Sequence, residues 1–258
     1  MNFTLFAFFL ALGLFLSMLL LLEVGRRIGV RHLAREAEKA SAGTGTVEGA
    51  VFGLLGLLIA FTFSGASARF DTRRQLIVEE TNAIGTAYLR LDLLSTDTQM
   101  VLQEQFRQYV DARLDVYRKV PDMAAVREAL TKVAQMQTDI WRQAVAACRA
   151  APTPQATMLL LPTLNDMIDI TTTRTIAAQM HPPTIIFVML FGLALASALL
   201  AGYGMASATS RSWLHVLGFA AALAVAVYVI FDLEYPRFGM IRVDAFDQAL
   251  VDLRESMH

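Results

Sequence analysis

The chain has 258 residues, of which 55% are hydrophobic and 17% charged, with a formal net charge of −1. A charged share well below the ~25% of soluble domains points to a membrane protein, and the near-zero net charge gives nucleic acid no bulk electrostatic attraction. Cys148, the single cysteine, excludes an intrachain disulfide and a cysteine metal cluster.

A bilayer core of ~30 Å is crossed by about 20 apolar residues in a helix. The first stretch of that length is Met1 to Leu22, closed by Glu23, Arg26 and Arg27. Its long apolar run, the lack of a basic start and the absence of a small-x-small site before Glu23 read as a retained anchor, not a cleaved signal. Arg26, Arg27, Arg31, Arg35 and Lys39 then form a basic connector, with a break at Gly43 to Thr46. By the positive-inside rule this connector is cytoplasmic, which places the N-terminus outside. Glu48 opens the second span, where a helix N-terminus favours a carboxylate; a place in an ion path is the alternative.

The second span, Gly49 to Ala68, is uncharged throughout. Gly49, Gly53, Gly56, Ala60, Ser64 and Ser67 step by three or four and share one face. Leu55, Ile59 and Phe63 form a bulkier stripe beside them. Such a helix either packs closely against a neighbour or lines a path.

No proline interrupts Arg69 to Leu94, so the helix is expected to continue beyond the span, with Leu76, Ala83, Ala87, Leu91 and Leu94 at helical spacing. Thr98 to Lys119 carries Val101, Phe106, Tyr109, Val110, Leu114 and Tyr117 on one face, and Pro121 ends it. Asp122 caps the next helix, Met123 to Ala150, before a turn at Ala151 to Pro154. The helix after that is expected to kink or restart at Pro162 and carries Leu164, Met167, Ile168, Ile170 and Ile176. Pro182 and Pro183 introduce a third span from Thr184 to about Ala206, and a serine-rich loop from Ser207 to Ser212 leads to the fourth, Trp213 to Phe231. The alanines of that span suit close packing, and His215 near its end reads as an interfacial polar residue. Asp232 and Glu234 follow, then an amphipathic helix from Val243 to Met257.

The chain therefore reads as an all-α membrane protein with four transmembrane helices and an α-helical extramembrane region between the second and third. Residues 1–68 hold the first two spans, 69–181 the helical region, 182–232 the last two spans, and 233–258 an acidic tail with its helix. No strand alternation, nucleotide loop or nucleophile elbow occurs, and His32, His181, His215 and His258 have no ligand spacing, so neither an enzyme, a metal nor a cofactor is indicated. Three polar clusters remain: Glu79 to Asn82 with Arg90; Asn165, Asp166, Asp169 and Arg174; and Asp232, Glu234, Asp244 and Asp247. The first two flank the second and third spans, where cross-helix ion pairing such as Glu80 with Arg174 is the expected role.

FTFSGASARFDTRR (Phe61 to Arg74) and DLEYPRFG followed by VDAF (Asp232 to Phe246), in this order of parts, resemble the bestrophins, and more closely the bacterial bestrophin-like membrane proteins. The resemblance implies a pentameric ion channel in a bacterial inner membrane, with second helices lining a narrow apolar neck and inorganic ions as the passing species. In the family's register the neck falls on Gly56, Ala60 and Ser64, where the family carries large apolar side chains. A rotated helix would instead offer Leu55, Ile59 and Phe63. The resemblance also implies cytoplasmic termini, opposite to the charge-based orientation. The calcium clasp of animal members has partial echoes in Asp232, Glu234 and Asp244, but bacterial members lack that regulation and no metal role is carried over. The competing reading is a non-conducting scaffold or sensor whose helical region binds a partner.

Overall fold

A computed structural model of the chain describes residues 3–35, 44–150, 154–207 and 213–257. The helices are α1 (Phe3–Arg35), α2 (Thr44–Leu89), α3 (Thr96–Arg118), α4 (Met123–Ala150), α5 (Gln155–Gln179), α6 (Thr184–Gly204), α7 (Trp213–Glu234) and α8 (Gln248–Ser256). Short 3-10 turns cover Arg90–Leu93, Met205–Ser207 and Asp244–Asp247, and no strand occurs among the described residues. The helices carrying α1, α2, α6 and α7 are long and apolar enough to cross a membrane.

Several boundaries differ from the sequence expectation. The expected basic connector is partly helix: α1 continues through Arg26, Arg27 and Arg31, and Arg27 pairs with Glu23 at 2.8 Å one turn earlier. Thr44 to Thr46 already belong to α2, whereas Lys39 and Gly43 lie outside the described residues, as do the turn at Ala151 to Thr153 and the loop at Ala208 to Ser212. Pro162 lies inside α5, which runs unbroken from Gln155 to Gln179, so the helix does not restart there. Its missing N–H strands the carbonyl of Met158, and both residues are exposed, where that carbonyl is solvated. Asp232 and Glu234 sit in the last turn of α7 rather than after it. The tail helix is also shorter than expected, because Asp244–Asp247 forms a 3-10 turn before α8.

The chain divides into two compact units: Met1–Ala68 with His181–Met240, and Arg69–Met180 with Ile241–His258. In the first, α1 packs along α6 and α7. Its inner stripe, Ala7, Leu14, Met18 and Leu22, is buried, as are Leu190, Ala194 and Ala198 of α6 and Ala220, Ala224 and Val227 of α7. The seam continues at glycines. A Cβ on Gly25 would stand 2.0 Å from the Leu199 carbonyl oxygen, and one on Gly202 would stand 2.0 Å from the Leu22 carbonyl oxygen. Backbones approach this closely only where side chains are absent. Around the end of α7, Phe3, Phe6, Phe187, Phe231, Tyr235 and Phe238 form a chain of ring contacts.

The second unit holds the rest of α2 with α3, α4, α5 and α8. α3 packs on α4, α4 on α5, and α8 on α3. Asp122 caps α4 as its position suggests, accepting from the N–H groups of Ala124 (3.0 Å) and Ala125 (3.1 Å). The core gathers Ile84 and Leu91, Leu102, Phe106 and Tyr109, Val133 and Ile140, Leu160, Leu164 and Met167, with Leu250 from α8. Val101, expected on the buried face of α3, is exposed, while Leu102, one turn before Phe106, is fully buried. Ile176 of α5 is likewise exposed.

Candidate functional site: the faces of the second helix and a buried charge cluster

Within the first unit, the membrane half of α2 leaves most of its surface without a partner. Its most apolar window is 11% buried, against 22% for α1 and 28% for each of the other two spanning helices. Gly49, Gly53, Gly56, Ala60 and Ser64 are all exposed, and a Cβ built on any of the three glycines would meet nothing within 4 Å. Leu55 is 3% exposed and turned into its own unit, Ile59 is half-buried, and Phe63 is exposed. The three bulky residues thus spread from the inside of the unit to its surface. A second outward stripe went unnoticed in the sequence: Leu54, Leu57 and Phe61, the last 67% exposed. Its spacing of three and four is the signal that identifies it. Phe52 meets Phe219 of α7 edge-on at 6.0 Å, and the Glu48 carboxylate lies against Gly204.

The acidic turn after α7 is closed by its own backbone. Both carboxylate oxygens of Asp232 accept the Met240 N–H at 3.0 Å. A Cβ on Gly239 would lie 2.0 Å from Asp232 Oδ1, so only glycine lets the chain fold back this tightly. Glu234 is fully buried, with His181 Nδ1 3.6 Å from its Oε2, and the His181 ring stacks on Tyr235 at 4.5 Å. Asp244 and Asp247, grouped with these acids in the sequence, belong to the other unit, each beside an arginine: Asp244 with Arg242, and Asp247 3.7 Å from Arg174. Among the described residues, no three or more His, Cys, Asp or Glu side chains converge as a metal site.

In the second unit, Glu80 of α2 is 0% exposed and lies between two arginines. Arg113 Nε of α3 donates to its Oε1 at 2.5 Å, and Arg174 Nη1 of α5 donates to its Oε2. Tyr117 accepts from Arg113 Nη2, and its ring lies 4.3 Å from the Arg174 guanidinium. Burial alone would raise the Glu80 pKa, but the two guanidiniums outweigh it and hold the carboxyl below the usual carboxylate value. Beside the cluster, Gln137 of α4 donates to both Tyr109 and Thr171 at 3.0 Å, and burial pushes the Tyr109 phenol up. Arg73 of α2 donates from Nε to the Ala177 carbonyl (3.1 Å) and from Nη2 to the Met180 carbonyl (2.7 Å), satisfying the free end of α5.

The structure therefore joins Glu80 and Arg174, while Asp166 and Asp169, proposed alongside them, are exposed; Asp169 accepts from Asn165 at 2.9 Å. Arg113 and Arg73 were missed because an arginine on an amphipathic helix reads as a surface residue. Arg113 carried one signal: it falls on the Phe106–Tyr109–Val110 face.

Four apolar helices in one unit, and in the other a helical bundle that begins as the continuation of the second, define a multi-span, all-α membrane protein. The matching family model, described as a bestrophin-like domain, covers residues 12–245. The chain belongs to the bestrophin-like family. Two crystal structures of a bacterial bestrophin homologue from Klebsiella pneumoniae, each of a point variant, superpose with TM-scores of 0.70 and 0.68 at 13% identity. They cover 95% and 93% of this chain, and 98% of the homologue in each case. A further crystal structure, described only as a membrane protein, gives a TM-score of 0.66 at 13% identity over 94% of this chain and 99% of that one. At this identity the likeness is one of fold. No curated protein matches the sequence.

Proposed function

We propose that the protein is a homo-oligomeric membrane ion channel or pore of a bacterial inner membrane, with the membrane half of α2 near the central axis. The observation that carries this is the outward face of Gly49, Gly53, Gly56, Ala60 and Ser64 on the least buried of the four spanning helices. Lipid rewards bulky side chains on an exposed helix, as on α1, which turns Phe9, Leu16 and Leu20 outward. A face of glycine, alanine and serine suits neighbouring backbone or water instead. Family membership supports a pentamer, with inorganic ions as the passing species. A ring of Gly56, Ala60 and Ser64 would be wider and wetter than a ring of large apolar residues, so it would gate less by dewetting. The basic residues after the first span favour an N-terminus outside; cytoplasm-only labelling of cysteines introduced into the helical region of a Cys148→Ala protein would overturn that orientation.

Planar-bilayer recording of the purified oligomer tests the reading. Conductance is expected, falling by tenfold or so with Ala60→Leu or Ser64→Leu, about the effect of ~1.4 kcal/mol on a barrier. Silence across chloride, sodium and potassium gradients with oligomers intact overturns it. A conductance that responds to Ile59→Ala or Phe63→Ala instead would move the path to the bulkier stripe. One observation favours the second reading, a non-conducting scaffold or sensor whose helical region binds a partner: the same small face serves tight helix packing with no path at all.

A further inference from the structure

We infer that Arg27 and Arg31, on the last turns of α1, hold the headgroup phosphate of an anionic phospholipid from the surrounding bilayer. The site is independent of whether the protein conducts. Successive helix residues are turned by about 100°, so α1 has two opposite sides. Gly25 and Gly29 continue the buried stripe of Leu14, Met18 and Leu22 and press against Leu199, Tyr203 and Ala206. Phe9, Leu16, Leu20 and Val24 lie on the other side and are exposed. Arg27 and Arg31 follow Val24 by three and seven residues, continue this outward stripe and are exposed as well. They share the side that α1 offers to lipid, opposite the glycines that meet α6.

Depth agrees with this placement. With α1 along the membrane normal, Phe3 to Leu22 covers about 30 Å, the thickness of the hydrocarbon core. Arg27 then lies about 7.5 Å past Leu22 and Arg31 about 13.5 Å past it. Helix side chains lean toward the N-terminus, so both guanidiniums reach back toward the hydrocarbon edge and its headgroups. Tyr203 marks the same level: Gly29 sits against it, and His32 Nδ1 lies 3.2 Å from its hydroxyl. Tyrosine is favoured where bilayer meets water.

The charge is open to an outside partner. Glu23, 2.8 Å from Arg27, neutralises it in part. Among the described residues Arg31 makes no hydrogen bond or ion pair. Its neighbours three and four residues away in sequence, Arg27, Ile28, Ala34 and Arg35, include no acid, and Glu36 and Glu38 lie outside the described residues. Glu48, a further acid near the end of α6, lies against Gly204. Two arginines a turn apart suit a phosphodiester, and Leu16, Leu20 and Val24 suit the acyl chains below it. An acidic peptide would leave that apolar half of the stripe uncovered. A zwitterionic lipid brings the same phosphate with a cancelling ammonium, so net charge decides which lipid binds.

The test uses the full-length oligomer in nanodiscs of phosphatidylglycerol and phosphatidylcholine, with both tryptophans, Trp141 and Trp213, replaced by phenylalanine. Leu20→Trp then reports the acyl chains beneath the arginines, and Phe9→Trp, on the same stripe, reports the opposite leaflet. Quenching by chain-brominated phosphatidylglycerol is compared with quenching by chain-brominated phosphatidylcholine. Leu20→Trp is expected to prefer the anionic lipid by about fivefold or more, the factor one arginine contributes at an anionic surface, and Phe9→Trp is expected to show no preference. Arg27→Gln with Arg31→Gln should abolish the preference with the oligomer intact, since both positions are exposed. Arg27→Lys with Arg31→Lys keeps the charge without the planar fork and should retain only part of it. A preference that survives the glutamine pair, that the lysine pair retains in full, or that is equal at Phe9→Trp overturns the inference. So does an absence of preference at Leu20→Trp, or an absence of quenching there by either lipid, which would show that a neighbouring chain covers this face.

Discussion

Glu80 illustrates how strongly a single buried charge depends on its partners. Removing only its charge, as in Glu80→Gln, leaves the buried Arg113 without a counter-charge and Arg174 with Asp247 alone, 3.7 Å away, and should cost about 3–5 kcal/mol. Replacing all three charges at once (Glu80→Leu, Arg113→Met and Arg174→Leu) should be nearly neutral, because it removes the desolvation cost along with the attraction. Thermal unfolding of the purified protein checks both. Acid should erase the difference between wild type and Glu80→Gln. The folded pKa of Glu80 lies below its ordinary value of 4.5, so its stabilisation is fully present above that value. It is lost as pH falls below 4.5 and on through the folded value. The gap in melting temperature should therefore hold at neutral pH and close in acid; a gap constant into strong acid would show that the carboxylate charge is not the cause. Gly239 sets a different limit. An added methyl there would lie 2.0 Å from Asp232 Oδ1, so Gly239→Ala should destabilise by about 1–3 kcal/mol, as overpacking does, without altering helix content.

Among the elements, the α1–α6 seam is where small residues have a measurable role. Gly25→Val and Gly202→Val should each prevent close approach, since the obstructing atoms are backbone carbonyls of Leu199 and Leu22 that cannot swing aside. The loss should reach 3 kcal/mol or so and appear as poor recovery of folded protein from detergent, whereas Gly13→Val on the same helix, with nothing within 4 Å of the new Cβ, should be recovered like wild type. This seam also marks the limit of what spacing reveals. The sequence shows that Gly49, Gly53, Gly56, Ala60 and Ser64 share a face, because helical geometry fixes that from the sequence alone. It does not show which small-residue face meets a helix of the same chain. Gly25 and Gly29, four apart on α1, do so, while the longer α2 stripe does not. The four spans and the helical region were legible because length and hydrophobicity determine them. The Glu80–Arg174 pair was legible because each residue flanks a span. Arg113 and Arg73 were not, since their partners lie on other helices that only the tertiary fold brings near, and α5 runs on through Pro162 because the one carbonyl it strands lies on an exposed face.

At the scale of the whole molecule, the question is what covers the outward faces of α2 in the proposed oligomer. Three surroundings are possible for the small stripe (water, another helix or lipid), and thiol chemistry distinguishes them, because only a thiolate reacts and a thiolate forms only where water reaches it. In a Cys148→Ala protein, Gly56→Cys, Ala60→Cys and Ser64→Cys should react with a small charged methanethiosulfonate, and each modification should change conductance. Leu54→Cys, Leu57→Cys and Phe61→Cys, roughly a quarter-turn away on the helix, should stay inert if they meet lipid. The reverse pattern would place Leu54, Leu57 and Phe61 at the axis and give the oligomer an apolar constriction. Inert thiols on both stripes would mean that the small face is sealed against a neighbouring helix, and the four spans would then form a packed scaffold instead of the wall of a path.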